Sequence, residues 1–201
     1  MMGVISLILA YLLGSISTSY IVGKVARGVD IRNFGSGNAG ATNTLRVLGW
    51  KMAVIVLLGD IVKGILAIAF ASMVTSGSPA YVSHIYMALA GLLAILGHNW
   101  PAFFQFRGGK GVATTIGVLA VLSFMPALYA GLLAIVVILL TRYVSLGSLV
   151  FITFTFIFQF FMHIPATYIW VTLIIGILVY WRHRENIDRL LHGKENRIFS
   201  R

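Results

Sequence analysis

No cysteine occurs among the 201 residues. Disulfides, thiolate metal sites and a thiol nucleophile are thereby excluded, while the compartment stays open. Acidic residues are scarce too: five Asp and Glu stand against fifteen Lys and Arg. A hydrolase built on paired carboxylates needs two of them at one site, and the polar stretches below hold almost none. Charge of either sign is also short. It makes up 10% of the chain, where a soluble domain carries about 25%. So few charges do not cover a globular surface, and lipid is expected to cover it.

What is present fits that expectation. The chain is 59% hydrophobic, with a mean hydropathy of +0.96. Apolar segments fall at roughly 3–23, 52–74, 84–97, 112–125, 126–141, 146–163 and 166–181, and a membrane-crossing helix takes about 20 residues. The first segment lacks the basic flank of a secretory signal, and its apolar stretch is too long for one, so it reads as a retained span. All 201 residues are assigned to a single membrane-embedded domain.

The net charge of +10 suits either nucleic-acid binding or the basic bias of cytoplasmic loops. Position decides between them. Residues 24–51 carry Lys24, Arg27, Arg32, Arg46 and Lys51; residues 98–111 carry Arg107 and Lys110; Arg142 follows, and six basic residues lie from Arg182 onward. The intervening connections hold no charge at all. Counting on the positive-inside rule gives an all-α polytopic bundle of about seven spans, N-terminus outside and C-terminus in the cytoplasm, with no role for nucleic acid. Segments 84–97 and 112–125 are each too short to cross about 30 Å of hydrocarbon. They are expected to draw the loop between them into the membrane, and Pro126 to separate two short spans.

Three polar stretches sit on the basic side. The first, within 34–46, reads "FGSGNAGATN" through Asn43. Glycines 35, 37 and 40 allow close approach of the backbone to a ligand, and successive amides in such a turn form an anion nest. A helix starting near Thr42 points its amides the same way, with Arg46 one turn on. The plainer reading is a flexible loop with a helix cap at Asn43. The second, 97–115, contains "GGKGVATT": Gly108, Gly109, Lys110 and Gly111 precede Thr114, Thr115 and a helix start. It is not a nucleotide-binding P-loop, because Gly111 follows the lysine where that motif has Ser or Thr. Trp100 and the phenylalanines suit headgroup level. The third, 180–191, read as one helix, puts His183, Ile187 and Leu190 on a face with Asn186 at its edge, while Arg184, Glu185 and Asp188 turn away.

Outside these stretches, Arg142 and Ser145 lie on the same side. Asp60 and Lys63, three apart on one helix, read as a structural pair. His84, His163 and His192 read as interfacial or solvated, and no His–carboxylate set has metal-ligand spacing. A site rich in donors and glycine but poor in carboxylates suits a phosphorylated anion.

"GSGNAGATN", "GHNWPAFFQFRGGKGVAT" and "YWRHRENIDRLL", in this order and spacing, resemble the three motifs of the bacterial acyl-phosphate:glycerol-3-phosphate acyltransferases, over essentially the whole chain. The resemblance implies a seven-span fold and a reaction of acyl phosphate with glycerol 3-phosphate, giving lysophosphatidate and inorganic phosphate. It implies no metal, nucleotide, acyl-CoA, acyl carrier protein or other cofactor, and no required protein partner. By this resemblance Ser36, Gly37, Asn38, Thr42, Asn43 and nearby amides bind phosphate and the reacting carbonyl. Arg46 and Lys110, with Gly108, Gly109 and Ser145, hold the glycerol phosphate. His183 and Asn186 orient the attacking hydroxyl and steady the oxyanion. Two proton acceptors stay open, His183 and the donor's own phosphate, with a lean to the phosphate. A covalent route through Ser36 is disfavoured, since no triad is legible. The rival from another class is a transporter or flippase for phosphorylated solutes or lipids.

Overall fold

The computed structural model describes residues 2–198. Every regular element among them is helical: α1 Met2–Gly14, α2 Thr18–Arg27, α3 Ala41–Leu48, α4 Trp50–Val74, α5 Ala80–Asn99, α6 Val112–Leu122, α7 Phe124–Thr141, α8 Val144–Phe161, α9 Ala166–Arg182 and α10 Arg184–Leu191. The sequence reading treats the chain as one domain. The helices pack as two compact units, one running to Val121 and the other starting at Leu122, and each is described by itself.

Five segments among the described residues are long and apolar enough to cross a membrane, and the bent pair α9–α10 makes a sixth if counted as one span. The seventh expected segment, α6, is a helix of eleven residues, about 16 Å long at 1.5 Å per residue. It is short, as its sequence predicts. Its neighbour is not. The apolar run 84–97 is extended at both ends into the twenty-residue α5, because Pro79 starts the helix upstream of the run and the polar pair His98–Asn99 continues it. The chain breaks at Ser123 rather than at Pro126, which sits in the first turn of α7, where its missing N–H is harmless.

In the first unit, small residues set the packing. Ala10, Ala67, Ala71, Ala90 and Ala94 form the contact of α1, α4 and α5. A Cβ on Gly14 would overlap the Ala94 carbonyl, and one on Gly97 the Tyr11 carbonyl. Such close approach is how helices gain dispersion energy where lipid supplies no hydrophobic drive. Between α1 and α2 the chain leaves the helix at Ser15–Ser17. Irregular backbone at that depth needs internal partners, and it has them: Ser15 Oγ donates to Tyr11 O (2.9 Å) and accepts from Ala102 N (3.3 Å), while Ile16 O accepts from Lys63 Nζ (2.9 Å).

In the second unit, α7 turns into α8 at Arg142, in left-handed conformation at φ 63°. Buried Gln159 of α8 donates from Nε2 to Ser123 Oγ (2.8 Å) and Thr172 Oγ1 (3.0 Å), a polar tie between α8, α9 and the start of α7. The third motif is not one continuous helix. It breaks at His183 with a bend of 61° between α9 and α10.

Candidate active site

The first motif loop joins α2 to α3 in the first unit. Asp30 caps the turn Ile31–Asn33 by accepting from Arg32 N, and grips the Arg32 guanidinium at 2.9 Å (Nε) and 2.8 Å (Nη2). Those bonds hold the Asp30 carboxyl below its ordinary value, against a smaller rise from burial. Arg32 then donates from Nη1 to Phe104 O (2.7 Å) and lies over the Tyr20 ring at 5.0 Å. A residue flanking the first motif thus fixes the backbone of the second.

Asn43 shapes the loop from inside. Its Nδ2 donates to Ile31 O (3.1 Å) and Phe34 O (3.0 Å), and its Oδ1 accepts from Ser36 N (2.8 Å). The side chain is buried, so its amide is directed into the loop and not outward. Gly35 adopts φ +60°, and a Cβ there would overlap Asn43 Oδ1. Ser36, Gly37 and Arg46 stay exposed, with Asn38 and Thr42 half-buried. Helix α3 starts at Ala41, behind Gly40, without a side-chain cap. Its first amides keep their field for an incoming anion.

The second motif loop folds back on the end of α5, where Gly109 N donates to His98 O (3.2 Å). A Cβ on Gly109 would overlap both His98 Nε2 and the Ala39 carbonyl, which crowd the same face of its α-carbon. The two glycine loops therefore meet at Ala39 and Gly109. Half-buried Lys110 leads into α6. The side-chain oxygens of Thr114 and Thr115 and both amide atoms of Asn99 are buried without a hydrogen-bond partner among the described residues. Polar atoms in that condition are uncommon, and here they surround the start of α6.

Beneath this junction lies a charged cluster. The Asp60–Lys63 pair expected from the sequence is present at 2.9 Å, and His98 joins it. Lys63 Nζ is 3.0 Å from His98 Nδ1, and Asp60 Oδ1 accepts from Thr18 Oγ1 at 3.0 Å. All three side chains are at most 7% exposed. Sequence reasoning placed His98 in the motif but missed the cluster. The signal available was an acid–base pair on an apolar span beside the "GHN" that ends another.

In the second unit, His183 and Asn186 are buried while Arg184, Glu185 and Asp188 are exposed, the sidedness expected. His183 Nδ1 lies 2.8 Å from Val179 O. A carbonyl only accepts, so Nδ1 carries the proton and Nε2 is the acceptor nitrogen. Asn186 Nδ2 and Ser145 Oγ converge on Oε1 of Glu195, at 2.6 and 2.9 Å, and Arg189 Nε donates to Oε2 at 2.8 Å. Burial pushes this carboxyl up, but the hydrogen bonds from Asn186, Arg189 and Ser145 outweigh it and hold it below its ordinary value. Glu195 was missed because it lies beyond the third motif. The tail continues to Ile198, whose N–H donates to Arg142 O (2.8 Å).

Apolar spans, glycine loops with donors at their ends, and buried polar clusters define a multi-pass α-helical membrane protein with a built polar site. The chain belongs to the glycerol-3-phosphate acyltransferase family, whose model matches residues 4–193. It is 53% identical over 197 residues to the glycerol-3-phosphate acyltransferase of Shouchella clausii, covering 96% of this chain and 94% of that protein. It is 54% identical over 194 residues to that of Halalkalibacterium halodurans, covering 94% and 92%. Its fold matches the crystal structure of PlsY, an integral membrane glycerol 3-phosphate acyltransferase, in its glycerol 3-phosphate form: TM-score 0.89, 40% identity, 98% of this chain and 95% of that one. The lysophosphatidic acid form of PlsY matches with a TM-score of 0.87.

Proposed function

We propose that the protein transfers a fatty acyl group from acyl phosphate to sn-glycerol 3-phosphate. The products are 1-acyl-sn-glycerol 3-phosphate and inorganic phosphate, the first acylation of bacterial phospholipid synthesis. The site faces the cytoplasm from the plasma membrane of a seven-span chain, N-terminus outside. The family supports the acyltransferase class, and the acceptor follows the names of the relatives.

The observation that supports the donor is an apolar groove whose lining reaches Phe103 of the second motif stretch. The groove, of about 360 Å³, is lined by Leu9, Leu13, Ile16, Ala67, Phe70 and Phe103 among others. It runs along α1 and α4 to Phe103 of the second motif loop and to Ile16, whose carbonyl takes Lys63. That layout suits a ligand with an apolar tail and an anionic head. Ser36, Gly37, Asn38, Thr42 and the loop amides, shaped by Asn43, take the donor phosphate and the reacting carbonyl. Arg46 and Lys110, with Gly108, Gly109 and Ser145, take glycerol 3-phosphate.

The hydroxyl oxygen of glycerol 3-phosphate attacks the acyl carbon, the bond from that carbon to the phosphate oxygen breaks, and phosphate leaves. Asn186 donates toward the developing oxyanion, a role in which losing one donor costs about 3–4 kcal/mol. His183 orients the hydroxyl. Its Nδ1–H tautomer equips Nε2 to receive the proton, which weakens the sequence-based lean toward the donor phosphate. Replacing His183 with Gln separates the two: abolished turnover with both substrates still bound assigns the proton to the histidine.

The direct test is purified protein in detergent with acyl phosphate and labelled glycerol 3-phosphate, EDTA present and CoA absent. Labelled lysophosphatidate is expected; a product that requires acyl-CoA overturns the donor. Proteoliposomes that move glycerol 3-phosphate without making lipid would favour the transporter instead.

A further inference from the structure

The Asp60–Lys63 pair is expensive where it sits. Ionised side chains inside a membrane span are rare and mark function more often than architecture, and a buried pair stabilises no better than apolar residues of similar volume. Its geometry has a direct chemical consequence for His98. A lysine ammonium has three N–H donors and no acceptor. Those of Lys63 are directed at Ile16 O (2.9 Å), Asp60 Oδ1 (2.9 Å) and His98 Nδ1 (3.0 Å). Asp60 Oδ1 also lies 3.6 Å from Nδ1, but the ammonium is nearer and has nothing to accept with, so Nδ1 accepts and the ring proton of a neutral His98 is on Nε2.

That nitrogen and the Ala39 carbonyl are the two atoms that a Cβ on Gly109 would overlap, so ring and carbonyl share one face of that glycine. His98 also accepts from Gly109 N through its own carbonyl, at 3.2 Å. One histidine thus touches the second glycine loop by both backbone and ring, at the point where the first loop arrives. We propose that His98, set as an Nε2–H donor by the buried Asp60–Lys63 pair, is the positioning residue that registers the two glycine loops against each other. It contacts no substrate. Its effect on glycerol 3-phosphate rests on the loops being the phosphate site proposed above, whereas its effect on the loops themselves does not.

The test uses the full chain in detergent micelles, with histidine ring nitrogens labelled by 15N. Assignment of His98 among the five histidines comes from the signal missing in His98→Gln. In the wild type, Nδ1 is expected unprotonated and Nε2 protonated, and Lys63→Met should shift that tautomer balance. Gln places an amide N–H near the Nε2 position, whereas Asn reaches only as far as Nδ1. Hydrogen exchange over residues 34–43 and 107–111 should therefore rise about tenfold in His98→Asn, as for one lost buried hydrogen bond, and stay near wild type in His98→Gln. Acyltransferase assays should show the same order, with KM for glycerol 3-phosphate raised more than kcat is lowered. A wild-type proton on Nδ1, or exchange in the loops indifferent to His98→Asn, overturns the proposal. If Gln and Asn are equally damaging, the ring is only filling space and the proposal fails as well. Loss of the substrate effect with the exchange pattern intact would instead overturn the phosphate-site reading.

Discussion

Replacing Glu195 tests whether a carboxylate outside the three motifs holds Asn186 in place. Glu195 accepts from Asn186, Ser145 and Arg189, and its side chain is 3% exposed. Glu195→Ala leaves those donors without their acceptor. Stranding the two buried donors, Asn186 and Ser145, costs about 1–3 kcal/mol each, so a loss of about 2–6 kcal/mol is expected, with Asn186 released. Glu195→Gln is gentler. Its carbonyl oxygen still serves Asn186 and Ser145, but its NH2 then faces Arg189 Nε–H, donor against donor. That forfeits one charge-assisted bond of about 1.5–3 kcal/mol, a Tm decrease of about 3–12 °C.

The kinetic consequences separate accordingly. Glu195→Ala should lower kcat by about 10²–10³, as for one missing transition-state donor, and Glu195→Gln by much less. The decisive assay is a double-mutant cycle with Asn186→Ala, read as initial rates of lysophosphatidate formation. If Glu195 acts through Asn186, its removal changes kcat little once Asn186 is gone. Additivity within about 0.5 kcal/mol would refute the coupling. The pH dependence follows with a definite sign. The folded carboxyl titrates below its unfolded value, so its contribution is complete above about pH 4.3 and fades as pH falls through the lower folded value. The Tm gap between wild type and Glu195→Gln should close over that acid range, and a gap that widens there contradicts the assignment.

Gly109→Ala puts a methyl group into the His98 ring and the Ala39 carbonyl; overpacking of about 1–3 kcal/mol should raise KM for glycerol 3-phosphate, and an unchanged KM would show the junction to be slack. Arg32→Lys removes the fork that joins Asp30 to Phe104 O; hydrogen exchange at 102–107 should rise, with about 1.5–3 kcal/mol lost. Gln159→Leu removes the bonds to Ser123 and Thr172 in the second unit; stability should fall by about 0.6–2 kcal/mol, read as a lower Tm, while turnover is retained. Leu13→Trp narrows the apolar groove; each acyl methylene excluded costs about 0.8 kcal/mol, so kcat/KM for long donors should fall relative to short ones.

The helices were legible because their causes are local. Six of the seven apolar runs each became one helix, the first was split into α1 and α2 at Ser15–Ser17, and α3 begins one residue before the predicted Thr42. Where the sequence misled, the cause lay at long range or in a side chain. Nothing at 180–191 breaks helical periodicity, and neither Gly nor Pro is present, yet the helix ends at His183. There the backbone N–H is shared between Val179 O and Tyr180 O, and Nδ1 bonds Val179 O as well, so the ring competes for the carbonyl that the helix would use. Glu195 was illegible for a different reason. Its partners lie 9 and 50 residues away in Asn186 and Ser145, and no pattern in one sequence encodes such a pairing. The buried His98 was visible only as part of a motif, since its meaning comes from Lys63 on another helix.

A division of labour within the loops explains why so much of this site is not contact surface. Arg32, Asn43 and His98 are directed at backbone, and each fixes a loop segment rather than facing outward. Ser36, Gly37 and Arg46 remain exposed. The acyl phosphate of the proposed reaction is already activated, so on that proposal the protein's part is to bring two anions together and stabilise charge as it shifts. Donors fixed in advance do that without reorganising during the reaction, and correct placement supplies about 7–11 kcal/mol of such a barrier. Amides held in place by buried neighbours meet the requirement with few cations, which limits the charge that must lie near the hydrocarbon. The consequence is that substitutions behind the loops should be as damaging as substitutions facing the substrate. They should differ in signature, raising KM together with loop exchange where a contacting residue alters turnover alone.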